Sequence, residues 1–336
     1  MIKLFTHTDL DGVGCAVLAK LAFGDEVDIE YCGYDDIDDK VRNFICEVRP
    51  NEDVGTIYIT DISVNEETAK LIEDAKFDVV CRLFDHHKTA EHLDKYFWAE
   101  VSEYDGELGF KTCGTELFYK HLTSYGYLKD TEKYRTFVWT VTMYDTWMWK
   151  ELNEYDGQMV KDLNDLLYIL GREEFIARCI RRKNGKGDDA MVIASKDEDM
   201  LLDIRQKEID AYINKKDKET FVMCLLGKNA MIVFADRFVS ELGNTLCERY
   251  PEWDLAVIID PGSCKVSYRT IKDDVDVSEI AKVFGGGGHP KAAGHICTDV
   301  IRKDMARNLF FYHISNEVKP EPEKKTWWQK FFGGML

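Results

Sequence analysis

The side chains in this chain best suited to chemistry are acids and histidines placed directly after apolar runs. His7-Thr8-Asp9-Leu10-Asp11-Gly12 follows Ile2 to Phe5, Asp61 follows Thr56 to Thr60, and Asp85-His86-His87 follows Val79 to Phe84. Carboxylate oxygens combined with imidazole nitrogen suit hard to borderline divalent cations. Several converging acids can share two ions about 3.5–4 Å apart, as in many phosphoryl-transfer hydrolases. Asp9 and Asp11, two residues apart at a strand exit, point the same way, and Gly12 permits a tight turn into the helix that follows. A calcium-loop reading fails, because with His7 at position 1 Leu18 falls where the bidentate Glu is needed. Taken singly, Asp-x-Asp-Gly is equally a turn with a helix cap, and each histidine a hydrogen-bonded structural residue. Asp145, in Met143-Tyr144-Asp145-Thr146, is on its own a solvated surface acid. Together, three successive strand ends that deliver acid to one sheet edge favour a metal site, which Asp145 can close.

The elements that must position these groups read as βαβαβαβ over the first 145 residues. Strands are expected over Ile2 to Phe5, Val27 to Tyr31, Thr56 to Thr60 and Val79 to Phe84; helices over Gly12 to Phe23, Ile37 to Val48, Asn65 to Ala75 and Thr112 to Tyr125. Repeated βαβ units imply a parallel sheet covered by helices, with its chemistry beyond the carboxyl ends of the strands. Residues 151–218 read as a helical connector. A second alternation over 219–316, with strands near Phe221 to Leu226, Met231 to Phe234, Leu255 to Ile259 and Lys265 to Arg269 and a helix over Phe238 to Tyr250, reads as a smaller α/β domain. The fold class is thus α/β, a parallel-sheet domain over 1–150 joined by helices to a smaller α/β domain. Residues 317–336 form a distinct tail in which Trp327, Trp328, Phe331 and Phe332 stand among lysines.

At 336 residues the chain holds about two domains. Its formal charge of -18 is the wrong sign for holding a long duplex through many phosphates, so a nucleic acid substrate should be short or held by metal. The ten cysteines contain no C-x-x-C pair and read as reduced thiols, which makes the cytoplasm the expected compartment. No window is apolar enough for a membrane span, and no targeting segment is read at the N-terminus.

In these motifs the chain resembles the DHH phosphoesterases: Asp9-Leu10-Asp11-Gly12 as motif one, Asp61 as motif two, Asp85-His86-His87 as motif three and Asp145-Thr146 as motif four. Gly285-Gly286-Gly287-Gly288-His289 with Ala292-Ala293-Gly294 resembles the glycine-rich signature of the DHHA1-type C-terminal domain that such proteins carry. The resemblance implies two divalent metals, usually manganese with magnesium or cobalt as substitutes. They would be held by Asp9, Asp11, Asp61, His86 and Asp145, with Asp61 as the bridge. It further implies that His87 faces the substrate phosphate and that Asp85 orients an imidazole. Some branches have a histidine four residues before the first motif-one Asp; Phe5 stands there. His7, two before it, fits the nuclease branches better and is expected as a ligand or as a partner of one.

Four glycines before His289 expose backbone N–H groups and suit an anion pocket, although a mobile hinge is the plain alternative. The spacing is not that of a nucleotide-triphosphate P-loop. The resemblance assigns Gly286, Gly287, Gly288 and His289 to substrate binding, together with Arg269, which can fork to a terminal phosphate but on its own reads as a surface ion pair. Ser240 to Asn244 reads as a helix cap or a substrate contact. Two domains facing one cleft would take a short substrate end-on. The wording of motif one is close to that of the oligoribonuclease (nanoRNase) branch, which implies very short oligonucleotides as substrates. A cyclic or linear dinucleotide diesterase and a 3'-phosphoadenosine 5'-phosphate phosphatase are the near alternatives; a metal-dead nucleotide sensor is the alternative from another class. The aromatic tail is expected to pack on the chain's own surface, or else to bind a partner or a second copy, or to anchor at a membrane surface. Trp139, Trp147 and Trp149 are expected in the core.

Overall fold

The runs Ile2–Thr6 (β1), Val27–Tyr31 (β2), Thr56–Thr60 (β3) and Cys81–Asp85 (β4) pair as parallel strands in the computed structural model, and a three-residue strand, Ala99–Val101 (β5), extends the sheet beyond what the apolar runs predict. The structure describes residues 1–48, 55–77, 80–106, 109–185, 190–297, 303 and 307. The strand order is β2-β1-β3-β4-β5. The chain therefore steps outward from β1 to β2 and returns to pair β3 on the other side of β1. The carboxyl ends of β1 and β3 flank this switch point, where open α/β sheets leave a crevice for ligands.

Both faces of the sheet are buried, because alternate side chains leave a strand in opposite directions. Leu4, Tyr58 and Phe84 enter one core, with the helices Leu10–Phe23 (α1), Gly114–Ser124 (α4) and Glu132–Asp145 (α5). Phe5, Ile57, Ile59 and Leu83 enter the other, with Ile37–Glu47 (α2) and Glu66–Asp74 (α3). Helix α1 is buried without a break from Leu10 to Ala19, as befits a helix that is apolar on nearly all sides. Glu154–Leu170 (α6) and Arg172–Arg181 (α7) add Leu163, Leu166, Phe175 and Cys179 to the α1 core, and the first compact unit runs from Met1 to Arg205.

The C-terminal end of this helical layer is closed by a buried cation. Arg178, 2% exposed, donates to both carboxylate oxygens of Glu198 (2.7 and 3.1 Å) and to the carbonyls of Met191 (2.6 Å) and Ile193 (2.8 Å). Arg178→Met strands these acceptors and is expected to destabilise the protein by about 3–5 kcal/mol, read as a lowered urea midpoint. Burial alone would raise the Glu198 pKa, but Arg178 and the Ser195 N–H hold it down to about 2. A carboxylate with a depressed pKa contributes stability above its unfolded value, so the contribution of Glu198 is lost as the pH falls from about 4.5 toward about 2. In Arg178→Met that segment of the pH profile should flatten.

The second unit, Gln206 to Leu336, holds a mixed sheet. Its strands are Phe221–Leu225 (β6), Lys228–Phe234 (β7), Leu255–Asp260 (β8), Lys265–Arg269 (β9), Gly287–His289 (β10) and Ala292–Ile296 (β11), in the order β10-β11-β9-β8-β7-β6. The pair β7 and β8 is parallel; its other pairs are antiparallel. Helix Val239–Arg249 (α9) covers one face together with Ile209 and Ile213 of Lys196–Asp217 (α8), and Val277–Val283 (α10) covers the other. All ten cysteines are free thiols, six of them buried. Among the described residues no helix is long and apolar enough to cross a membrane. The aromatic tail over 317–336 lies outside the described residues.

Candidate metal centre

The carboxyl ends of β1, β3 and β4 bring together the acids and histidines singled out in the sequence. Asp9 caps α1, accepting from the Gly12 N–H at 3.2 Å. Gly12 does not need a special backbone angle; a Cβ there would lie 2.3 Å from the His7 carbonyl oxygen, so the missing side chain is what lets the turn close. Asp61 has φ of 55°, a left-handed conformation that Asp tolerates at a cost of about 1–3 kcal/mol and that structures keep mainly at functional sites. Gly114 makes room beside it: a Cβ there would stand 2.7 Å from the Asp61 Cβ.

Three overlapping groups have ligand atoms within 4.8 Å of one another: Asp61 with Asp85, His86 and His87, and two sets of three, His7, Asp9 and Asp61 as the first and Asp11, His86 and Asp145 as the second. The two sets of three leave out Asp85 and His87, which pair with each other. Asp61 faces both: its Oδ2 is 3.7 Å from His7 Nδ1 and its Oδ1 is 3.4 Å from His86 Nε2. His86 Nε2 is also 3.4 Å from Asp145 Oδ2 and 3.8 Å from Asp11 Oδ2. His7, left open between ligand and partner in the sequence, has Nδ1 2.8 Å from Asp9 Oδ2 and belongs to the first set.

Asp85 is used differently. Its Oδ1 accepts from the backbone N–H groups of His86 (2.7 Å) and His87 (3.2 Å) and pairs with His87 Nδ1 at 2.7 Å, while Oδ2 accepts from the Ser63 hydroxyl. This carboxylate sets the path of the chain through both histidines. Burial would raise its pKa, but His87 holds it down to about 2. Asp85 thus serves as an acceptor, with the His87 ring against one of its oxygens. His87 Nε2 meets the hydroxyl of Tyr34 at 3.2 Å. Tyr34 was not read from the sequence, although it follows β2 by three residues.

The electrostatics test whether cations fit. Asp61 Oδ2 and His86 Nε2 are buried and have no hydrogen-bond partner, a costly state for polar atoms unless a further group satisfies them. Burial and the nearby charges of Asp11 and Asp9 push the Asp61 carboxyl well above its ordinary value. Burial raises Asp145 to about 7, opposed by His86 and assisted by Asp11 and Asp9. Burial alone would lower His7, but Asp61 and Asp9 push it up to about 10; at 3.7 Å the Asp61 contribution is charge rather than a hydrogen bond. Carboxylates that repel one another, beside one carboxylate oxygen and one imidazole nitrogen without a partner, are a donor set matched to divalent cations.

In the second unit Arg269 is not the surface ion pair of the plain reading. Its side chain lies against Gly243, donates to the Ser240 hydroxyl at 2.9 Å and to the Tyr268 carbonyl at 2.9 Å, and leaves a buried Nε without a partner. Ser240, at the start of α9, therefore serves Arg269. Gly287, Gly288 and His289 form β10 and pair with Ala292 to Gly294 of β11, so part of the glycine backbone is committed to the ladder; Gly286 precedes the strand. The His289 ring is exposed and its Nδ1 accepts from the Lys291 N–H at 3.2 Å. Three tryptophans expected in the core lie elsewhere: Trp139 is on the outer side of α5, between the buried Val138 and Thr140, Trp147 is exposed just before a short 3-10 turn, and Trp149 within that turn is half-buried.

Residues 234–315 match the DHHA1 domain model. The chain is 39% identical over 312 residues to the oligoribonuclease NrnB of Bacillus subtilis (strain 168), covering 92% of this chain and 76% of that protein. Among solved structures, exonuclease RecJ bound to manganese aligns with a TM-score of 0.57 at 15% identity, over 94% of this chain and 92% of that one. The pGpG-specific phosphodiesterase PggH from Vibrio cholerae aligns with a TM-score of 0.51 at 15% identity, over 95% and 100%. These two share the fold. The chain belongs to the DHH phosphoesterase family, hydrolases of phosphate ester bonds that pair a DHH domain with a DHHA1 domain. Within that family it falls in the nanoRNase branch.

Proposed function

We propose that this protein hydrolyses very short oligonucleotides, of about two to five residues, to mononucleotides with the help of two divalent metals. The observation that carries the reading is the division of the centre into His7-Asp9-Asp61 and Asp11-His86-Asp145, with one Asp61 oxygen toward each set. Manganese, with magnesium or cobalt as substitutes, is the proposed metal. Bound there, two cations supply Lewis acidity: they lower the pKa of a water and offset the charge that builds on the phosphate and the leaving oxygen.

The chain's own residues do the rest. His87, fixed through Nδ1 by Asp85, faces the substrate phosphate with its ring. Asp85 keeps that ring and the His86 backbone in register and takes no proton at neutral pH, because its pKa is held near about 2. Arg269 supplies a guanidinium whose Nε is still without a partner, and we assign it, with Gly286, Gly287, Gly288 and His289, to recognition of the substrate end. The net charge of -18 supports a substrate with few phosphates. In this reading the protein works in the cytoplasm, the domains proposed from the sequence keep their assignments (1–150 catalytic, 151–218 connecting, 219–316 substrate-binding), and the tail over 317–336 serves a partner or a second copy.

The test is Mn(II)-dependent hydrolysis of end-labelled dinucleotides and pentanucleotides beside cyclic dinucleotides, 3'-phosphoadenosine 5'-phosphate and pyrophosphate. Mononucleotides released fastest from the linear di- to pentanucleotides are the expected product. Faster turnover of a cyclic dinucleotide or of 3'-phosphoadenosine 5'-phosphate moves the substrate assignment. Calorimetric Mn(II) binding without turnover of any of them favours a sensor.

A further inference from the structure

Tyr34 lies in the connection between β2 and α2. The position of this connection is set by backbone bonds: the Cys32 N–H donates to the Thr6 carbonyl of β1 at 2.8 Å, and the Gly33 N–H to Asp36 Oδ1 at 2.8 Å. These place Tyr34 at the mouth of the centre, where it touches residues from two other strand ends. Its hydroxyl is 3.2 Å from His87 Nε2. Its ring lies 5.1 Å from the His7 ring at 46° and 6.0 Å from the His87 ring at 88°. The residue is nevertheless 62% exposed, so much of the ring faces solvent.

A tyrosine with no task at a surface has little reason to meet two histidines that stand 80 positions apart. The Nδ1 side of His87 is already gripped by Asp85 at 2.7 Å. With Tyr34 at Nε2, both nitrogens of the imidazole are held, and the ring can neither flip nor swing away from the centre. The open side of the phenol is flat and apolar, the surface on which a nucleobase stacks. We propose that Tyr34 is a positioning residue: its hydroxyl fixes the His87 ring, and its exposed face receives the base of the nucleotide next to the bond being cleaved. This rests on the function proposed above.

Two variants separate the two contributions. Tyr34→Phe keeps the ring and removes the hydroxyl; Tyr34→Leu removes both. Tyr34→Phe is expected to lower kcat on a labelled dinucleotide about tenfold with little change in KM. Tyr34→Leu should add a rise in KM of roughly tenfold. In the Mg(II)-loaded protein at fixed pH, the 15N resonance of His87 Nε2 should move in Tyr34→Phe from a hydrogen-bonded toward an unbonded position. Wild-type kcat, KM and 15N shifts in both variants overturn the inference. So does a loss of Mn(II) affinity in proportion to the lost turnover, since Tyr34 would then act through the metal ligands. The nitrogen shift does not depend on turnover: if the wild-type protein cleaves none of the substrates, the proposed function fails, while the shift still decides whether Tyr34 holds His87.

Discussion

Asp61→Asn is expected to cut metal-dependent turnover by three orders of magnitude or more while making the metal-free protein more stable. The activity loss follows from position. Asp61 faces both ligand sets, at 3.7 Å from His7 and 3.4 Å from His86, and an amide cannot neutralise two cations. Lewis-acid stabilisation is worth several kcal/mol, and each 1.36 kcal/mol is a factor of ten. The stability gain follows from the same burial. Asp61 carries an oxygen without a hydrogen-bond partner, and neighbouring acids push its pKa well up. Asn keeps the shape, tolerates the left-handed backbone at φ 55°, and carries no charge to repel Asp11 and Asp9. A gain of about 1–2 kcal/mol in EDTA is the size typical when a functional site is relieved of strain.

The accompanying control is ligand linkage. Mn(II) at 100 times its Kd should stabilise the wild type by about 2.7 kcal/mol, and Asp61→Asn should lose nearly all of that response. Thermal melts with Mn(II) and with EDTA, for both proteins, measure the two effects together. Near-normal turnover in Asp61→Asn would remove Asp61 from the centre. A metal-free variant less stable than the wild type would show that its carboxylate has a structural partner.

Much of this centre was legible in the sequence because a parallel sheet obliges its loops to meet. Once Ile2 to Phe5, Thr56 to Thr60 and Val79 to Phe84 are read as neighbouring parallel strands, the acids after each must share an edge, and the structure puts them there. Tyr34 was missed although the same rule covers it: Cys32-Gly33-Tyr34 also follows a strand, and was passed over because it carries no acid. Strands β10 and β11 were missed for a different reason. Gly287 and Gly288 lack the branched or aromatic side chains that mark strands, and their pairing with Ala292 to Gly294 is held by backbone alone. β5 is too short for any periodicity. The Arg269–Ser240 contact joins residues 29 positions apart, a pairing that periodicity cannot supply. Nor could residue spacing foretell that Asp85 would spend one oxygen on the backbone of the two residues after it and the other on Ser63.

Asp11 shows how far a single carboxylate can be committed to fold and site at once, and Asp11→Ala is expected to damage both. Helix α4 begins at Gly114 with no side-chain cap from Cys113. Its first N–H groups are taken instead by Asp11, 103 residues earlier: Oδ2 accepts from Gly114 at 2.6 Å and Oδ1 from Thr115 at 2.7 Å. These are charge-assisted bonds at a helix N-terminus, where a carboxylate is also favoured by the dipole. Alanine leaves both N–H groups buried without an acceptor, at about 1–3 kcal/mol each. Against this, removing Asp11 takes away the largest of the neighbouring charges acting on Asp61, a relief of about 1–2 kcal/mol on the scale used for Asp61→Asn. The hydrogen-bond loss is the larger, so the metal-free variant should be destabilised by about 2 kcal/mol, roughly the cost of losing a strong helix cap. Activity should fall at least a thousandfold as well, since the same carboxylate lies 3.8 Å from His86 in the second ligand set. Urea unfolding in EDTA thus separates two acids that an activity assay would score alike: the midpoint falls for Asp11→Ala and rises for Asp61→Asn. An unchanged midpoint for Asp11→Ala would mean that water caps α4 as well as Asp11 does, and that the buried carboxylate is kept for the metals alone.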